Sequence, residues 1–187
     1  MGEVVHECAD LLFGTVTVAI DVGRGIVTVE GEALPTAVIE RTAEVRHQPH
    51  VPLGTRDPDA VRLTVGGARE WVRPSRGRLS RRSYRVRARL GTADLLFTPS
   101  SPASSRLVRG TSYRGDNELG VAERITGGLV AVDWSPEVRA LGATVPAASP
   151  SPAEAAVLYA LASAFGTGAR FLLGAMIEGA GDAATPW

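Results

Sequence analysis

The sequence predicts a mainly-β protein, a closed or nearly closed antiparallel β-barrel of roughly 9–12 strands around a C-terminal hydrophobic α-helix. Two observations carry that expectation. Before Val145, short alternating segments recur between Gly, Pro, Ser and Asn/Asp, at the spacing of about 8–12 residues found in sandwiches and barrels. Ser151 to Gly181 then reads as one helix, apolar almost all the way round. A helix with no polar face has to be surrounded, by protein or by lipid.

The elements follow in order. Thr15 to Ile20 alternates, Asp21 to Gly25 makes a turn, and Ile26 to Glu30 returns, so Thr15–Glu30 reads as a hairpin. Val38 to Val45 is a further strand candidate. His47 to Gly54 and Asp57-Pro58-Asp59 form a proline-punctuated loop. Val61 to Val65 alternates and stops at Gly66-Gly67. Tyr84–Leu90, Asp94–Thr98, Arg106–Arg109, Gly120–Ile125 and Leu129–Trp134 complete the strand set. The layout is therefore one domain over 1–187, with a strand region at 3–144, a Pro/Ser linker at 145–151 and the apolar helix at 152–181.

The helix opens on Ser151-Pro152-Ala153-Glu154, a capping box with proline at the first helical position. A bilayer span needs about 20 apolar residues. Ala155 to Ala169 supplies 15 before Arg170, interrupted by Gly166 and Gly168. Burial inside the protein is the expectation, with Ala156, Ala160, Ala164 and Gly168 as a narrow stripe allowing close approach. A helix shared at a homodimer interface is the variant of that idea.

The chain has 20 acids and 20 basic residues, so no global field draws it to nucleic acid or an anionic membrane. All 20 basic residues are arginine, which matches GC-rich coding and excludes lysine-based covalent chemistry. The single Cys8 excludes an internal disulfide, and no cationic start leads into an apolar stretch. The expected location is cytoplasmic.

The strongest chemical feature is charge clustering. Arg62 to Arg89 holds ten arginines against one acid, Glu70, a net of +9 that the rest of the chain balances at −9. Arg73 to Arg82 reads as a mobile basic loop, and Tyr84 to Leu90 as a strand with Arg85, Arg87 and Arg89 on one face. Guanidinium forks bind phosphate and carboxylate bidentately. Arg73, Arg76, Arg78, Arg81, Arg82, Arg85, Arg87 and Arg89 are thus the candidate site for an anionic ligand, a phospholipid headgroup or an acidic protein partner, with nucleic acid less favoured in a neutral chain. The competing expectation is that these arginines pair with the chain's own acids and keep an edge strand soluble. Trp71 is expected half-buried in the core, with stacking of a base or sugar as its alternative.

Other chemistries find little support. His47 with His50, and His6 with Cys8, are two ligand pairs that nothing in the sequence unites, so no metal is expected. No Gly-x-Ser-x-Gly elbow or phosphate-cradling glycine loop is present, and no cofactor is expected. A non-enzymatic binding module is the reading. Its alternatives are an assembly protein dimerising through the helix and an enzyme with a pocket at the barrel mouth.

Arg114-Gly115-Asp116-Asn117-Glu118-Leu119-Gly120-Val121-Ala122-Glu123-Arg124 resembles the recurring turn, glycine, strand and basic-residue units of the tubby C-terminal-like group, which includes LURP-one-related and phospholipid-scramblase proteins. The resemblance covers Arg62 to Gly181 and rests on layout more than motif. It implies a closed barrel around a central helix, and a non-enzymatic module binding phosphoinositides, membranes or protein partners. No ligand motif of that group matches here, so no functional residue is carried over, and Ser-Pro-Ala-Glu replaces the usual start of its final helix.

Overall fold

The computed structural model describes residues 2–77, 80–125, 128–140 and 143–168. Eleven strands form one antiparallel meander in sequence order: β1 (Val4–Asp10), β2 (Gly14–Asp21), β3 (Ile26–Gly31), β4 (Leu34–Arg41), β5 (Val61–Val65), β6 (Ala68–Pro74), β7 (Val86–Leu90), β8 (Ala93–Pro99), β9 (Ser104–Arg109), β10 (Glu118–Arg124) and β11 (Val130–Trp134). A separate hairpin pairs β12 (Val138–Ala140) with β13 (Ala143–Val145). The sheet curls into a nearly closed barrel around α1 (Pro152–Phe165).

Alternation sets the interior. Val16, Val18 and Ile20 of β2, Val27 and Val29 of β3, Ala37 and Ile39 of β4, Leu63 of β5, Val86 and Ala88 of β7, and Leu95 and Phe97 of β8 all join one core with the helix. Their neighbours point to the opposite face, because successive strand residues alternate, although in β8 Leu96 and Thr98 on that face are buried as well. Two strands of the meander escape a sequence reading, as does the short β12–β13 hairpin. β1 exposes Val4 and Val5, and in β6 only Val72 and Pro74 are buried, so neither shows a clean apolar alternation.

β1 and β11 are the two ends of the meander and share no ladder among the described residues. The Asp10 side chain joins them. The Asp10 carboxylate, 7% exposed, accepts from Trp134 Nε1 of β11 at 3.0 Å to each oxygen and from Tyr159 Oη of α1 at 2.7 Å. The Leu12 and Phe13 N–H groups of the β1–β2 turn also donate to its Oδ1, at 2.8 and 3.0 Å. Phe13 meets the Trp134 ring edge-on at 5.7 Å. Trp134 lies across Gly120, where any Cβ would stand 2.8 Å from Trp134 Cε3. Burial, followed by its bond to Asp10, pushes the Tyr159 phenol far above its ordinary range.

The helix begins as the sequence predicts. Ser151 Oγ accepts from Glu154 N at 3.3 Å, and Glu154 Oε2 accepts from Ser151 N at 2.8 Å. From Glu154 to Phe165 every residue is buried, within a single chain. Pro152 is exposed and Ala153 half-buried, so the enclosed part of the helix is Glu154–Phe165. Over Glu154–Phe165 no helix face is left for a second copy, which answers the expectation of a shared helix for this segment. No helix among the described residues is long and apolar enough to cross a membrane.

The helix ends earlier than expected. Gly166 takes φ 76° and Gly168 φ 71°, conformations that glycine adopts without a Cβ penalty. Thr167 and Gly168 bond instead to the sheet: Thr167 Oγ1 donates to Ala103 O at 2.8 Å and accepts from Arg124 N at 2.9 Å, and Gly168 N donates to Ser105 Oγ at 3.0 Å. A Cβ on Gly168 would collide with the Pro102 carbonyl oxygen. The chain therefore leaves the helix after Phe165 rather than continuing it to 181. The remaining part of that expectation, including Arg170, lies outside the described residues.

Glu154 does more than cap. Arg109 of β9 grips it with two bonds of 2.7 Å. Burial opposes ionisation of Glu154, but the Arg109 fork and the Ser151 N–H more than offset it, and its pKa is lowered. A lowered folded-state pKa stabilises above the unfolded value and is lost as pH falls through the folded one. Glu154→Gln is expected to lose about 2 kcal/mol at neutral pH. In urea denaturation, the gap between wild type and variant is expected to shrink as pH drops below about 4.

Candidate anion-binding surface and cleft

The basic segment divides between two places. On the outer face of β6 and β7, Arg73 stands directly opposite Arg87, and Trp71 opposite Arg89. Arg73, Arg87 and Arg89 are exposed, while Val86 and Ala88 between them are buried, as the alternation predicts. Like charges directly opposite each other across strands repel. Among the described residues, neither Arg73 nor Arg87 has an acidic partner. Arg89 is paired: its Nε lies 2.8 Å from Asp94 Oδ1, and its guanidinium sits 5.9 Å from the Trp71 ring centre. Arg62 likewise pairs with Glu40 at 3.0 Å. Arg85 is half-buried, donating to Thr98 Oγ1 at 3.3 Å.

Trp71 is 46% exposed, so it belongs to this outer face rather than to the core as expected. The segment expected as a mobile loop is tied by a continuation of the β6–β7 ladder. Ser75 N donates to Arg85 O and Gly77 N to Ser83 O, each at 2.8 Å, and Arg81–Tyr84 forms a short 3₁₀ turn. Tyr84 thus stands in that turn rather than in the strand. Arg82 is exposed there, Arg81 has its backbone in the same turn, and Arg78 lies outside the described residues.

Arg76 belongs to a second place, a cleft of about 420 Å³ at the barrel end that holds the helix C-terminus. The proline-punctuated loop forms one wall, anchored by Leu53 N donating to Ala164 O at 3.0 Å. Arg46, His47, His50, Arg56 and Arg76 line it together with Tyr84 and Phe165. Among the described residues no Asp or Glu lines it; Asp57 borders an adjoining depression with Arg56 and Arg76.

Arg56 is the centre of this cleft and is 3% exposed. Its Nε donates to Ser75 O at 3.0 Å, one terminal nitrogen to Phe165 O at 3.1 Å and the other to Tyr84 O at 2.7 Å. Its guanidinium lies 5.1 Å from the Phe165 ring centre and 5.5 Å from that of Tyr84. Burial pulls its pKa down to about 10, so it stays charged at neutral pH, with no carboxylate partner among the described residues. Sequence reasoning missed Arg56 because it falls outside the dense run. The available signal was its place in a loop already carrying Arg46, His47 and His50.

At the opposite barrel end a larger cavity, about 720 Å³, lies between the 113–118 loop and the 145–149 linker. Its charges are mixed, with Arg109 and Arg114 beside Asp116 and Glu118, and Arg109 is engaged with Glu154. Among the described residues no three His, Cys, Asp or Glu side chains gather where they could hold a metal ion. No protein-family model matches the chain, and comparison with curated proteins and with solved structures likewise returns no match.

Arg56 ties loop, sheet and helix end through three carbonyls, so Arg56→Met is expected to cost about 3 kcal/mol in chemical denaturation. Arg56→Lys, a point charge without the fork, is expected to recover less than half of that loss.

Proposed function

We propose that this chain is a non-enzymatic, cytoplasmic binding module that docks an acidic protein surface on the outer face of β6 and β7. The observation that carries the reading is the Arg73–Arg87 pair, two exposed, directly opposed guanidinium groups without acidic partners among the described residues. Their repulsion opposes folding by a few tenths of a kcal/mol, and a docked carboxylate relieves it. Exposed Trp71 and Arg89 flank the pair, and Trp and Arg are the side chains that most often anchor protein interfaces. The strands-then-helix layout shared with the tubby-like group is in keeping with a binding module.

The surrounding chemistry sets what such a partner has to supply. The face is the outside of the barrel wall, with depressions beside Trp71 that also hold Asp59, Glu70 and Asp94, so the partner presents several carboxylates at strand spacing to reach Arg73 and Arg87 together. Arg85 and Arg89 already have protein partners, which leaves Arg73 and Arg87 as the groups that gain most.

The test is fluorescence anisotropy with a labelled glutamate-rich peptide at low salt, comparing wild type with Arg73→Ser/Arg87→Ser. The wild type is expected to bind, the double variant about tenfold more weakly, with the affinity falling as salt rises. The variant is expected to be at least as stable as wild type. Equal binding by both proteins, or binding to phosphatidylserine vesicles without binding to the peptide, overturns the reading.

A further inference from the structure

The cleft around Arg56 is separate from the β6–β7 face and has features of a built pocket. We infer that it binds a phosphate monoester dianion carrying a small flat apolar group. Three guanidinium groups, from Arg46, Arg56 and Arg76, line the space with the imidazoles of His47 and His50, and among the described residues no carboxylate lines it, Asp57 bordering only the adjoining depression. Arg56 uses three of its N–H groups on carbonyls, which leaves two of the five in the fork without a protein acceptor among the described residues. A fork pinned in this way loses little freedom on binding a ligand oxygen.

One effect opposes an anion here. The cleft faces the C-terminus of α1, which carries roughly half a negative charge. Three guanidinium charges outweigh it, and Arg56 caps one of the terminal carbonyls directly. The charge also selects among anions. A monoester phosphate carries about −1.5 to −2 at neutral pH and offers three acceptor oxygens, against one charge and two oxygens for a carboxylate. Val51, Tyr84 and Phe165 supply an apolar wall, and a volume of about 420 Å³ accommodates a single ring with its phosphoryl group.

The probes are inorganic phosphate, phenyl phosphate and benzoate, measured by calorimetry on the full chain. Phenyl phosphate is expected to bind at least tenfold more tightly than either of the others. Arg46→Ser/Arg76→Ser changes exposed positions and leaves the Arg56 anchor intact; it is expected to weaken phenyl phosphate roughly tenfold to a hundredfold. Arg73→Ser/Arg87→Ser is expected to leave that affinity unchanged, so failure of the docking face and failure of the cleft are distinguishable. Absence of binding at millimolar phenyl phosphate overturns the inference. So does benzoate binding as tightly, or equal weakening by the two double variants.

Discussion

The fold depends on one buried carboxylate. An eleven-stranded meander has two free edges, and here β1 and β11 approach without pairing through their backbones. Asp10 takes the place of that missing ladder by collecting donors from the β1–β2 turn, from Trp134 of β11 and from Tyr159 of the central helix. A buried carboxylate is unfavourable unless it is well hydrogen-bonded, and four donor groups offset the cost. Helix and barrel are thereby mutually dependent. An all-apolar helix is soluble only inside a closed wall, and the wall is fastened at its seam by a hydroxyl from that helix.

The two ends of the helix are finished by opposite ion chemistry, each suited to the local field. Glu154 sits at the N-terminus, where backbone N–H groups favour a negative charge, and Arg109 of β9 holds it there. Arg56 sits at the C-terminus and donates to the Phe165 carbonyl, where a positive charge is favoured. The difference lies in the counter-charge. Glu154 and Arg109 neutralise each other, whereas Arg56 faces a cleft with two more arginines. The packing problem of enclosing a helix thus leaves one barrel end electrostatically closed and the other open to an anion.

Much of this architecture is legible in the sequence because it rests on local signals. Alternation over 15–30 and 61–65 and the Ser151–Glu154 box report directly on β2, β3, β5 and the start of α1. Long-range chemistry leaves no such trace. Asp10, Trp134 and Tyr159 are separated by more than a hundred residues in two of their bonds, and only closure brings them together. The arginine cluster illustrates both cases. Arg87 and Arg89 follow the strand period outward, whereas Arg76 folds away to meet Arg56, Arg46 and the two loop histidines. The helix end is hidden for a related reason: apolar residues continue past Gly168 in the sequence, while Thr167 and Gly168 bond to the sheet instead of extending the helix.

The most direct measurement is residue-resolved amide hydrogen exchange on Asp10→Asn. Asparagine keeps an acceptor oxygen for the Leu12 and Phe13 amides but puts an N–H₂ where Oδ2 accepts from both Trp134 Nε1 and Tyr159 Oη. Protection in β1 and β11 is expected to fall together, by about 2–3 kcal/mol, while β5 to β8 keep theirs. Unchanged protection at the seam, or an equal loss in every strand, contradicts the account that Asp10 closes the barrel.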